Sequence, residues 1–239
     1  MKKISTLLYV IVTICIIMPT ICILGACGTS EKKVASFDEL LSALDSDKKV
    51  IVLTQDIDVE KTIIINREVI LNLNGKKLYN TNDVWDTDTE GVKNWSIISV
   101  RKNGNLTIKG NGQILAKKDD CYGIDVRDGS QITIENGKFV GNIHAVYVFE
   151  GQANINGGEY SIQQTFPTAG KEYEFVMNLY DSNGKAGTAK MIISGGTFHK
   201  FNPANCQAEG EGTNFVAQGY KSQLVEGETD IYEVVADKM

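Results

Sequence analysis

The chain has 239 residues, 42% of them apolar and 23% charged, which excludes a disordered chain and a multi-span membrane protein. Its formal net charge of −6 argues against a nucleic-acid partner, which demands a positive field. Glycine is frequent (23) and proline scarce (3), so the glycines belong to repeated turns and not to a linker or a collagen repeat.

The chain opens Met1-Lys2-Lys3 and then runs apolar from Leu7 to Ala26, interrupted only by Thr13, Pro19 and Thr20. A positive start before an apolar run is the pattern of a secretory signal. The run is nearly long enough to cross a bilayer, so an uncleaved anchor is the alternative. Leu24-Gly25-Ala26-Cys27 separates the two, because it resembles the lipobox of bacterial lipoproteins. That resemblance implies a signal peptide over 1–26, diacylation of Cys27 and a chain held by lipid on the extracytoplasmic face of the cell membrane. Two or three acyl chains anchor stably where one does not. Without Lys2 and Lys3 the chain carries 22 basic and 30 acidic residues, net −8, so contact with the bilayer rests on lipid and not on a basic face. Residues 27–35 read as the lipidated Cys and a polar tether. Of the five cysteines, Cys15 and Cys22 fall in the signal and Cys27 carries lipid. Cys121 and Cys206 remain, as a disulfide candidate or as two buried thiols.

The rest, 36–239, reads as one domain. Ser36-Phe37-Asp38-Glu39 is a capping box, followed by an apolar face at Phe37, Leu40, Leu41 and Leu44, and predicts a short helix over 37–45. The period then drops to two, at Val50–Leu53, Thr62–Ile65 and Val69–Leu73. A repeat follows: Asn105–Ile108 leads to Gly112, Gln131–Ile134 to Gly137, Ala153–Asn156 to Gly158 and Met191–Ser194 to Gly196. These glycines are 25, 21 and 38 residues apart, the spacing of solenoid coils with one longer loop. Each copy has a strand upstream, at Ile97–Val100, Gly123–Val126, Ala145–Val148 and Phe175–Leu179. Asn74, Asn136 and Asn156 suit the bend between strands, since Asn tolerates left-handed backbone.

These residues resemble the single-stranded right-handed parallel β-helix of the pectate-lyase-like group. The resemblance implies an all-β fold of about six short coils, the helix at 37–45 closing one end. A hairpin from Gln223–Val225 to Tyr232–Val235, turning at Glu226-Gly227-Glu228, closes the other. An antiparallel sandwich of short strands is the alternative. The segment from Gly195 through Asn202-Pro203-Ala204-Asn205 to Tyr220 resembles the closing segment of bacterial and phage β-helix proteins, and implies no chemistry.

Pectate lyases bind Ca²⁺ on clustered Asp residues beside a basic residue. Asp119, Asp120, Asp125 and Asp128 with Arg127 are the local group here that fits such a description, and a solvated turn is the alternative. No catalytic motif surrounds them, and His144 and His199 read as surface or turn residues. Apart from that candidate Ca²⁺, no cofactor is expected. The segment 80–95 lengthens one coil and holds both tryptophans, Trp85 and Trp95, beside Asp83, Asp86, Asp88 and Glu90. Aromatic rings with nearby acceptors suit sugars, so Trp85, Trp95, Asp86, Asp88 and Glu90 are ligand-binding candidates; the alternative is that the rings pin the loop down. A second loop, 163–171, is expected on the same side. The expected function is a non-catalytic surface lipoprotein binding glycan or another surface partner. A polysaccharide lyase or hydrolase, and a structural or adhesin module, stand as alternatives.

Overall fold

Three parallel sheets wind around one core in the computed structural model of the chain, which describes residues 31–87, 93–168, 170–206, 210 and 212–238. The expected lipidation site, Cys27, and the ligand candidates Asp88 and Glu90 lie outside the described residues. Each coil lays one strand in each sheet. The first sheet stacks Lys32–Val34, Val50–Leu53, Glu68–Asn72, Asn105–Lys109, Ser130–Ile134, Gly151–Ile155 and Ala189–Ile193. The second stacks Ile57–Asp58, Lys77–Tyr79, Gln113–Leu115, Lys138–Gly141, Glu159–Ile162 and Gly196–His199. The third holds Ile63–Ile65, Ser96–Val100, Tyr122–Val126, Val146–Val148 and Met177–Leu179. Five coils visit all three sheets, and the sixth closes after the second. The fold is a parallel β-helix.

Its core follows from register. Ile51, Leu71, Ile108, Ile134, Ile155 and Ile193 stand in one inward ladder of the first sheet. Leu78, Ile114, Phe139, Tyr160 and Phe198 form the matching ladder of the second. No coil can bury such a row alone, and stacking at about 4.8 Å makes it continuous. The bends need left-handed backbone. Asn74 supplies it as expected, with φ 49°. At the next bends it falls to Gly137 (φ 125°) and Gly158 (φ 102°) and not to Asn136 or Asn156, since glycine reaches those angles without a Cβ clash.

The ends are closed by the expected elements. Helix α1 (Phe37–Leu44) starts at Ser36, whose Oγ accepts the Glu39 N–H at 3.2 Å. Glu39 reaches back to accept the Ala35 N–H at 2.7 Å, one residue beyond the usual capping box. Phe37, Leu40 and Ala43 face the core. Arg67 ties the helix to the first coils, donating to the Leu44 and Ala43 carbonyls at 2.8 and 3.0 Å. At the far end Tyr220–Leu224 and Ile231–Ala236 form an antiparallel hairpin added to the second sheet. Lys32–Val34 forms a strand where the sequence predicts a tether, and a short helix, α2 (Asp181–Ala186), precedes the last coil where none is predicted.

Cys121 and Cys206 are buried thiols and are not joined. Cys121 belongs to the third coil and Cys206 follows the sixth. Three coil rises put them roughly 14 Å apart along the stack. A disulfide needs Cα atoms within about 7 Å.

Candidate functional site

Both long insertions leave the solenoid at one corner, between the second and third sheets. In coil two the corner carries the antiparallel hairpin Asp86–Thr87 with Lys93–Asn94. In coil five it carries Phe166–Thr168 with Lys171–Tyr173. Coils three and four cross the corner with short links. Gly141 shows how tight those are, because a Cβ there would sit 1.6 Å from the His144 carbonyl oxygen. The outer face of the third sheet therefore lies between two arms, and the 163–171 loop is on the expected side.

That face is aromatic. Trp95 packs against Trp85 (6.3 Å between centroids), Tyr122 (6.5 Å), Tyr147 (6.0 Å) and Phe149 (5.9 Å). Tyr122 meets the His144 ring at 4.4 Å, and His144 stacks on Tyr147 at 5.1 Å. The band continues from Phe149 to Tyr180 at 4.7 Å, and from His144 through Phe175 to Phe166. Trp85, Phe166 and Tyr180 are its exposed rings, at 44%, 50% and 41%.

Beneath Trp95 lies a buried polar layer. Asp125 is fully buried on the outward side of its strand. One of its oxygens accepts from Ser96 Oγ; the other accepts from Ser99 Oγ at 2.8 Å and from Arg127 Nε at 2.6 Å. The Arg127 guanidinium lies 4.0 Å below the Trp95 ring and donates to the Lys93 carbonyl at 2.9 Å. Arg101, one coil earlier, donates to Ser99 Oγ at 2.6 Å and to the same Lys93 carbonyl at 3.2 Å. Two stacked arginines thus clamp the hairpin of coil two. One face of Trp95 is occupied by Arg127 and its edges by other rings, so it pins the loop. Trp85 meets Trp95 and, edge-on at 5.4 Å, Tyr122, but it is the more exposed of the two indoles. Its backbone is positioned by Asp120, whose carboxylate accepts the N–H groups of Val84 (2.8 Å) and Trp85 (3.0 Å) and the Asn80 amide (2.8 Å). The ring stands over a cleft of about 380 Å³ lined by Asp83, Asp119, Asp120, Tyr122, Asn142 and Ile143.

The four aspartates of the candidate Ca²⁺ group are dispersed. Asp120 and Asp125 are spent on the bonds above. Asp119, exposed, accepts from Gln164 Nε2 at 2.5 Å, and Asp128 sits in a left-handed turn with φ 57°. Among the described residues no three His, Cys, Asp or Glu side chains converge as a metal site. Asp86 is exposed on the hairpin. Sequence reasoning missed Tyr122, Tyr147, Phe149, Phe175 and Tyr180; His144, read as a surface or turn residue, does stand in a bend before its strand but is buried among these rings.

Burial has a consequence for His144. Its Nδ1 pairs with the Phe175 carbonyl at 2.9 Å, and Asn178 lies 3.4 Å from Nε2, so the ring joins coil four to the second arm. Desolvation lowers its pKa from 6.5 to about 4. The unfolded chain therefore takes up the proton first as pH falls. Stability on this account is level above about pH 6.5 and drops by up to about 3 kcal/mol by pH 4. Urea midpoints at pH 7.5 and 4.5 should show a steeper loss for the parent chain than for His144→Gln; equal losses would assign the acid sensitivity elsewhere. Tyr122 is displaced upward, to about 12, by burial and then by the charge of Asp125, so its hydroxyl stays protonated. No family model, no curated protein and no solved structure matches the chain, so the site is read from its own geometry.

Proposed function

We propose that this protein is a non-catalytic, lipid-anchored surface protein that binds glycan on the outer face of the third sheet. One observation carries the glycan reading: an exposed indole, Trp85, is held over a cleft by backbone bonds to the buried carboxylate of Asp120. A ring fixed through its own backbone loses little freedom when a sugar stacks on it, and the acceptors around it suit hydroxyl groups. The lyase alternative is weakened because both oxygens of Asp125 are engaged and its Arg127 partner lies under Trp95.

Affinity electrophoresis in native gels containing single polysaccharides tests this reading. At least one should retard the chain, and Trp85→Ala should abolish the retardation while leaving the chain folded, at a cost of about 0.5–1.5 kcal/mol for the lost ring contacts with Trp95 and Tyr122. Retardation by none of them, or retardation indifferent to Trp85, would remove the reading. The anchor is tested separately. The parent chain should begin at Cys27 and be labelled by an alkynyl fatty acid, and Cys27→Ser should end the labelling and keep residues 1–26 attached, which intact mass reads directly. A parent chain that is unlabelled and itself keeps residues 1–26 would favour the uncleaved helix.

A further inference from the structure

We infer that the glycan taken by this face is an extended chain free of carboxylate and sulfate groups; the inference rests on the glycan-binding reading above. Among the described residues the cleft under Trp85 is lined by three carboxylates, Asp83, Asp119 and Asp120, and by no lysine or arginine. Two cations beside it, Lys117 and Arg127, are already committed. Lys117 is ion-paired with Asp83, whose hydrogen bond, and then its charge, hold the lysine pKa above its ordinary value. Arg127 is paired with Asp125 and sealed below Trp95, its side chain 9% exposed. A uronate or sulfate stacked on Trp85 would meet like charge with no counter-ion within the lining, on a chain of net charge −6. A hydroxyl group meets acceptors instead: Asp83 and Asp119 keep lone pairs beyond the single bonds they accept from Lys117 and Gln164.

The length of the ligand follows from where the exposed rings stand. Trp85 rises from coil two and leans onto Tyr122 of coil three, 5.4 Å away, while Phe166 and Tyr180 belong to coil five, so the rings stand two to three coil rises apart, roughly 10–14 Å along the stack. Trp95, Phe149 and Tyr180 form an unbroken line of ring contacts between those ends. A single sugar covers one end only. An oligosaccharide laid along the stack reaches both.

Affinity electrophoresis of the full chain in detergent, with polymers matched in sugar but not in charge, tests both parts. Neutral galactan is compared with polygalacturonate, and polygalacturonate with its methyl ester; mannan is compared with polymannuronate. Retardation by the uncharged member should exceed that by the uronate at least tenfold, and methyl esterification should restore it. Tyr180→Ala and Phe166→Ala should weaken binding of a hexasaccharide and leave a disaccharide unaffected. Trp85-dependent retardation by polygalacturonate equal to that by its ester would overturn this inference and leave the glycan reading standing. Equal affinity for disaccharide and hexasaccharide would overturn the extended mode alone. Retardation by no polymer would overturn the reading beneath it.

Discussion

Asp125→Ala should destabilise the protein by about 3–5 kcal/mol, the usual result of removing one partner of a buried ion pair. The reason is what it leaves behind. Arg127 would keep its charge under Trp95 with only the Lys93 carbonyl as an acceptor, its Nη2 already lacking a hydrogen-bond partner. Ser96 and Ser99 would each lose an acceptor inside the same layer. The double variant Asp125→Ala/Arg127→Met should recover part of the loss, because it removes the stranded charge and keeps apolar contact with the indole. Asp128→Asn, on an exposed turn three residues away, keeps a residue that tolerates the left-handed backbone and an acceptor for the Lys102 N–H, and should change stability by less than about 0.5 kcal/mol. Equilibrium urea unfolding of the four chains decides the matter. A loss below about 1 kcal/mol for Asp125→Ala would mean that this layer is wetter than its burial implies.

The same residues show what could be read in advance. Asp125 and Arg127, two apart on a strand, do share an outward face, as expected. Their burial depends on the hairpin of coil two folding over them, which no local pattern announces. A partial signal was present: Ser99-Val100-Arg101 and Asp125-Val126-Arg127 repeat one motif in adjacent coils, and stacking puts Ser99 against Asp125. The coils themselves were legible, because alternating Ile, Val and Leu with a glycine at each bend is a local requirement of every turn of the solenoid. The aromatic band was not. Trp95, Tyr122, Tyr147 and Tyr180 meet only because coils of unequal length return to the same sheet, so their sequence spacing carries no period. His144 likewise reads as a turn residue until the rings of coils three and five close over it. The two tryptophans differ in their surroundings: Trp95 is packed on Arg127 and pins the loop, and Trp85 is the more exposed ring.

Tyr160→Ala should cost about 3–5 kcal/mol, the upper range for deleting a buried aromatic ring. Tyr160 is the middle of a stack in the second sheet, 5.1 Å from Phe139 at 12° and 5.1 Å from Phe198 at 11°, all three fully buried. The stack has a covalent cause. In Gly137-Lys138-Phe139, Gly158-Glu159-Tyr160 and Gly196-Thr197-Phe198 each ring lies over the glycine two residues before it; a Cβ on Gly158 would come within 2.9 Å of the Tyr160 hydroxyl. Strands on both sides hold the coil spacing, so the walls cannot collapse into the space left by the ring. Tyr160→Phe separates ring from hydroxyl: it keeps the stack and gives up one bond to the Gly157 carbonyl, 2.6 Å long, for a loss of about 1 kcal/mol. Equal losses for the two variants would place the energy in the hydroxyl and refute the stacking account. Tyr160 stands in the second sheet and its strand pairs only with those of coils four and six, away from the outer face of the third sheet, so damage there need not reach the hairpin of coil two. Well below its lowered unfolding midpoint, Tyr160→Ala should therefore retain the Trp85-dependent retardation by polysaccharide, which separates the residues that hold the solenoid from the one proposed to bind.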